Sequence, residues 1–132
     1  MRGLALEGGG AKGAYQAGAI KALNLPEVWF NEQNKIYTSR KNKVIKLAQL
    51  LNCKVDKNSL GMFVWAKLPE NTKSAEAMIE EQLQNNHIFI TPGSIFGSNG
   101  SNYIRFSLCL SEELIDEAIL RVKQSQAVLH SL

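Results

Sequence analysis

No stretch of this sequence approaches the run of about 18 apolar residues that a bilayer-spanning helix needs, so a membrane span is excluded. Cysteine is scarce: Cys53 and Cys109 stand at no metal-ligand spacing, Cys109 between two leucines and Cys53 two residues from Leu51 and Val55, which reads as buried reduced thiols. The two histidines, His87 and His130, have no neighbouring Cys or His at ligand spacing, so no metal site is expected. The first residues are Met-Arg, but Glu7 and Gly8-Gly9-Gly10 interrupt any signal-peptide core, and a cytoplasmic protein is expected. Repeats and low-complexity segments are missing as well. The charge balance is mild, with 15 basic against 12 acidic residues and a net charge of +3. Basic residues gather at Lys35, Arg40, Lys41, Lys43, Lys46, Lys54 and Lys57, yet no nucleic-acid recognition motif accompanies them. They read as the solvated side of an amphipathic helix, and nucleic-acid binding is not expected.

What is present is enough for a real core. A chain of 132 residues with 45% hydrophobic content is one domain, or one domain plus an appendage. Residues 3–7 form a short apolar strand candidate, broken by the triple glycine. Residues 14–23 carry near-helical spacing, ended by Asn24-Leu25-Pro26, because a residue before proline is pushed out of the α region. In residues 28–51, Trp29, Ile36, Val44, Leu47 and Leu51 recur at helix-compatible intervals and Asn52 stops the helix. Residues 61–68 read as a strand stopped by Pro69. Ser74 is the expected N-cap of a helix over 75–84. Residues 87–91 make a second strand stopped by Pro92-Gly93, residues 93–101 a Gly/Ser/Asn loop, and residues 103–110 a third strand. Ser111 opens the last helix. This order predicts an α+β fold, a small, mostly antiparallel sheet packed by helices, with a short N-terminal strand-turn-helix appendage. The aromatic residues Trp29, Phe63 and Trp65 are expected in the core.

Three segments carry a resemblance when taken in order. They are Trp29-Phe30-Asn31-Glu32-Gln33-Asn34-Lys35-Ile36-Tyr37 with Arg40; Gly61-Met62-Phe63-Val64-Trp65-Ala66-Lys67-Leu68-Pro69; and Thr91-Pro92-Gly93-Ser94-Ile95-Phe96-Gly97, Gly100 and Tyr103-Ile104-Arg105-Phe106-Ser107. Together, over about residues 27–129, they resemble the C-terminal small domain of class I/II aminotransferases, the pyridoxal-phosphate (PLP) enzymes of the aspartate aminotransferase fold type. The resemblance implies amino-group transfer between an amino acid and a 2-oxo acid, with PLP as cofactor. It implies that Arg105 binds the substrate's α-carboxylate, a role suited to a planar guanidinium that donates two parallel charge-assisted hydrogen bonds. It also implies that residues 93–100 lie near substrate and move on closure. The family's cofactor lysine, its pyridine-nitrogen aspartate and its phosphate-binding groups belong to the large domain, and no segment here resembles them. The chain alone is therefore expected to bind no cofactor and to turn nothing over, and no catalytic residue is assigned.

Leu6-Glu7-Gly8-Gly9-Gly10-Ala11-Lys12-Gly13-Ala14-Tyr15-Gln16-Ala17-Gly18 resembles the opening of patatin-like phospholipases. In that family the glycine-rich turn forms the oxyanion hole, which here implies Gly8, Gly9, Gly10, Lys12 and Gly13. The Gly-x-Ser-x-Gly elbow and partner aspartate of that family have no counterpart, since Gly93-Ser94-Ile95-Phe96-Gly97 sets its serine off the elbow position. The division expected is a patatin-like segment over 1–26, joined by fusion or engineering to an aminotransferase small domain over 27–132. Two alternatives stand beside the aminotransferase reading. One is a noncatalytic module that binds carboxylate or phosphate or self-associates as a homo-oligomer; the other is a remnant acyl hydrolase.

Overall fold

Helix α1 (Glu27–Leu50) begins directly after Pro26, whose fixed φ suits a helix entry. It ends where Asn52 takes a left-handed conformation (φ 59°), and the Cys53 amide turns back to the Ala48 carbonyl at 2.9 Å. The computed structural model describes residues 4–5 and 26–131 of the chain. After β1 (Leu4–Ala5) and α1 come β2 (Lys54–Val55), β3 (Phe63–Lys67), α2 (Ala75–Asn86), β4 (Ile88–Phe89), β5 (Thr91–Pro92), two 3-10 turns (Gly93–Phe96 and Ser98–Gly100), β6 (Tyr103–Ser107) and α3 (Glu112–His130). A four-stranded antiparallel sheet has the order β2-β3-β6-β5, and β1 pairs in parallel with β4 through Leu4↔Ile88 and Ala5↔Phe89.

Strand alternation assigns the two faces of the sheet. Val64, Ala66, Ile104 and Phe106 are buried and join one apolar cluster with Val44, Leu47 and Ala48 of α1, Met78 and Ile79 of α2, and Ile115, Ala118, Ile119 and Val122 of α3. The opposite set, Phe63, Trp65 and Lys67 on β3 with Tyr103, Arg105 and Ser107 on β6, lies on the other face. The helices are fastened end to end by polar contacts. Lys43 of α1 meets Glu112 at 3.1 Å and Asp116 at 2.6 Å in the first turns of α3. Gln126 donates to the Leu50 carbonyl at 2.7 Å.

The expected α+β layering is present, with differences of detail. The helix over 75–84 runs on to Asn86, because its terminator is His87 in the left-handed region (φ 53°). The strand over 87–91 divides in two: residues 88–89 face β1 and residues 91–92 face β6, so Pro92 sits inside a pairing rather than stopping one. Its missing N–H is tolerated because β5 is an edge strand of the sheet. The strand over 103–110 ends at Ser107. The loop over 93–101 is two short 3-10 turns. Strand β2 was not anticipated. Trp65 is 37% exposed and Trp29 and Phe63 are only half-buried, so burial of these three aromatic residues is weaker than expected. The turn and helix of the N-terminal appendage fall outside the described residues.

Candidate functional site

Arg105 stands near the middle of β6, opposite Trp65 on β3 and Thr91 on β5. A central strand is a rigid mount, and both neighbours fix its register. The guanidinium lies between two aromatic faces. Its Cζ is 4.1 Å from the ring centre of Phe63 and 3.8 Å from that of Phe96. Phe96 in turn meets Trp65 edge to face at 5.6 Å, and Trp65 meets Tyr103 in the same manner at 6.3 Å. Four aromatic residues thus gather on the outward face around one cation. Ring faces carry negative potential, so each attracts the guanidinium.

The turn that carries Phe96 is held by backbone shape. A Cβ on Gly93 would collide with the carbonyl oxygens of Gly100 and Tyr103, and one on Gly100 would collide with the Gly93 carbonyl. This reciprocal approach needs glycine at both places. A side-chain bond adds to it: Ser94 Oγ donates to Glu76 Oε1 at 2.5 Å, tying the turn to the first turn of α2. The Ser94 hydroxyl holds the Glu76 carboxyl below the usual carboxylate range.

The remaining positions fall elsewhere. Gly8, Gly9, Gly10, Lys12 and Gly13, assigned by resemblance to an oxyanion hole, lie outside the described residues. Cys53 is buried and Cys109 half-buried. Ser94 sits on a 3-10 turn with its hydroxyl engaged by a carboxylate, which is not the strand-to-helix elbow of an acyl-hydrolase nucleophile. Among the described residues no group of three His, Cys, Asp or Glu side chains could hold a metal ion, and no helix is long and apolar enough to cross a membrane. A hollow of about 450 Å³ opens between the helices, lined by residues such as Met78, Gln82, Val122 and Gln126, away from the Arg105 face. Arg105 stands out in the sequence; the rings flanking it do not. The available signal was parity, since Phe63, Trp65 and Arg105 all occupy outward positions of paired strands.

An α+β domain that presents a strand-borne, ring-flanked arginine is a scaffold suited to gripping a carboxylate. Comparison with known proteins gives the class a family. The family model for aminotransferase class I and II matches residues 10–122, and the chain belongs to that family. The LL-diaminopimelate aminotransferase of Maridesulfovibrio salexigens is 36% identical over 113 residues, which is 84% of this chain and 28% of that protein. Its counterpart from Halothermothrix orenii is 33% identical over 112 residues, covering 85% and 28%. Among solved structures, an aminotransferase from Staphylococcus aureus matches with a TM-score of 0.63 at 29% identity, covering 86% of this chain and 30% of that one. The aromatic aminotransferase of Pyrococcus horikoshii matches the fold with a TM-score of 0.69 at 23% identity, covering 86% and 31%. The chain thus spans between a quarter and a third of the length of these relatives.

Proposed function

We propose that this chain is the substrate-carboxylate-binding part of an aminotransferase and that Arg105 is the group that grips the α-carboxylate of an amino acid or 2-oxo acid. The observation that carries the reading is the guanidinium fixed on a central strand with both faces covered by Phe63 and Phe96. A cation so mounted offers a carboxylate two parallel hydrogen bonds in a fixed plane, which sets the substrate's angle as well as its distance. Relatives named for LL-diaminopimelate support an amino-acid carboxylate as the occupant.

The parent family works with PLP, and the described residues do not fit that cofactor. A lysine that forms an imine is poised by desolvation or a neighbouring cation. Here no described lysine is buried. Lys41 donates to the carbonyls of Lys57 and Ser59, and Lys43 is ion-paired to Asp116 and Glu112, which raises its pKa and keeps it protonated. Half a site, with no carbonyl-capturing lysine among the described residues, leaves the chain binding carboxylate and catalysing nothing alone. The acyl-hydrolase alternative is disfavoured by the engagement of Ser94 with Glu76.

Titration of the ¹⁵N-labelled chain with glutamate, 2-oxoglutarate and inorganic phosphate tests the reading. Saturable shifts centred on Arg105, Trp65 and Thr91 are expected with the carboxylates. Arg105→Ala should weaken that binding tenfold or more, since a hydrogen bond to a charged group contributes about 1.5–3 kcal/mol. Equal binding by Arg105→Ala would refute the assignment.

A further inference from the structure

We propose that Phe63 and Phe96 are positioning residues for Arg105, a two-sided clamp that holds the guanidinium on edge so that a carboxylate reaches it only in its own plane. The proposal rests on the reading of Arg105 as the carboxylate-binding group. It goes further by assigning the orientation of that group to two side chains that make no contact with substrate through hydrogen bonds.

The two jaws differ in how they are mounted. Phe63 is half-buried at the start of β3, opposite Ser107 in the central pairing of the sheet, and its ring stands 4.1 Å from the Arg105 Cζ. It is the fixed jaw. Phe96 is 48% exposed at the end of a 3-10 turn, and its ring stands 3.8 Å from the same atom. An exposed phenylalanine is ordinarily free to leave its cation, so its position needs a cause. The turn supplies one: Gly93 and Gly100 lie backbone against backbone, Ser94 is tied to Glu76, and the ring edge rests on Trp65. Gly97 at φ +125° lets the chain reverse immediately afterwards, into a region that other residues rarely adopt.

A long arginine side chain samples many rotamers, and ordering it on binding costs free energy. A guanidinium already stacked between two rings has lost that freedom before the ligand arrives. Its faces are closed to approach, so recognition runs through the N–H edge, where carboxylate geometry matches bidentately. The aromatic pair therefore acts through Arg105: it raises affinity by pre-organisation and favours planar carboxylates over tetrahedral anions.

Nitrogen-15 relaxation of the Arg105 Nε–Hε group, identified by its loss in Arg105→Lys, tests the clamp without any ligand. The wild-type chain should show an order parameter near that of rigid backbone, about 0.85, and Phe96→Leu and Phe63→Leu should each lower it below about 0.6. Leucine keeps the apolar bulk and removes the ring face. Unchanged methyl shifts of Ile104 and Ile115 certify the fold, and Phe96→Leu, altered at an exposed site, remains informative if Phe63→Leu unfolds. An Arg105 order parameter unchanged in Phe96→Leu overturns the clamp. A companion titration with 2-oxoglutarate and phosphate should show about tenfold weaker carboxylate binding in Phe96→Leu, with phosphate affected less. Equal carboxylate affinity in wild type and Phe96→Leu also overturns it. If the wild-type Arg105 resonance ignores every carboxylate, the binding assignment fails, and the relaxation comparison still decides whether the rings hold the guanidinium.

Discussion

Three arginines of this domain show how surroundings decide the use of one side chain. Arg40 donates to the Leu108 carbonyl at 3.0 Å and lies over the Tyr37 ring, joining α1 to the end of β6. Arg121, buried on α3, bonds Glu117 at 2.9 Å and reaches the carbonyls of Asn86 and His87 at 3.4 Å, where it closes the C-terminus of α2. A cation at that end also meets the negative pole of the helix. Arg105 carries the rings of Phe63 and Phe96 against its guanidinium. Arg121→Ala should accordingly lower stability by about 1–3 kcal/mol, because buried carbonyls lose their donor, and urea denaturation would measure it. The order of the segments around it singles out Arg105 in the sequence but not the rings beside it, because Phe63 and Phe96 are distant in the chain and reach Arg105 through the β3–β6 register and the 3-10 turn after β5.

Cys53 gives a residue-scale pH prediction. Burial pushes its thiol from 9.0 up to about 11. The unfolded chain then loses the proton first, so the favourable contribution is complete below pH 9 and disappears as pH rises toward 11. The melting temperature should fall across that window, less steeply in Cys53→Ala at its lower end. The Lys43 ammonium, raised by Asp116 and then Glu112, adds its own loss at still higher pH, above 10.5. Thiol labelling at pH 8 checks the same burial: Cys53 should react only on unfolding.

The elements follow local rules where side chains speak directly to the backbone. Ser74 Oγ accepts from the Ala77 amide at 3.1 Å and Ser111 Oγ from the Leu114 amide at 3.4 Å, so the two helix starts read from sequence are real caps. Ser74→Ala and Ser111→Ala should each cost about 1 kcal/mol in denaturant unfolding. Strand β2 escaped notice because Lys54–Val55 is too short to show a period and owes its existence to pairing with Lys67 and Ala66 of β3. The turns over 93–100 read as a loop because glycine and serine mark flexibility and close backbone approach alike. The contact between Gly93 and Gly100 decides for approach. Gly100→Ala should therefore displace the Phe96 ring, visible as lost ring-current shifts on Arg105, along with a lower melting temperature.

At the scale of the whole molecule, α1 outruns the domain it helps to build. Its buried residues, Val44, Ile45, Leu47 and Ala48, all lie in the C-terminal half. In the other half Val28 is 66% exposed and Ile36 38%, and Trp29 and Phe30 pack edge to face at 5.5 Å. Helical spacing foretold the helix over its full length, but spacing alone could not say that Val28, Phe30 and Ile36 would stay exposed while Tyr37 packs against the core. Exposed apolar surface of this kind favours association. Light scattering should give a mass that rises with concentration, and Phe30→Glu should lower it.

The proposed role of this chain is to hold the carboxylate-gripping part of an aminotransferase site, with no cofactor-holding lysine among the described residues. Mixing the purified chain with PLP and a panel of amino acids, and following the cofactor's absorbance, tests it most directly. No donor-dependent conversion of the aldehyde to the amine form beyond that of free PLP is expected. Donor-dependent conversion above that level, abolished by Arg105→Ala, would show a complete working site and contradict the claim.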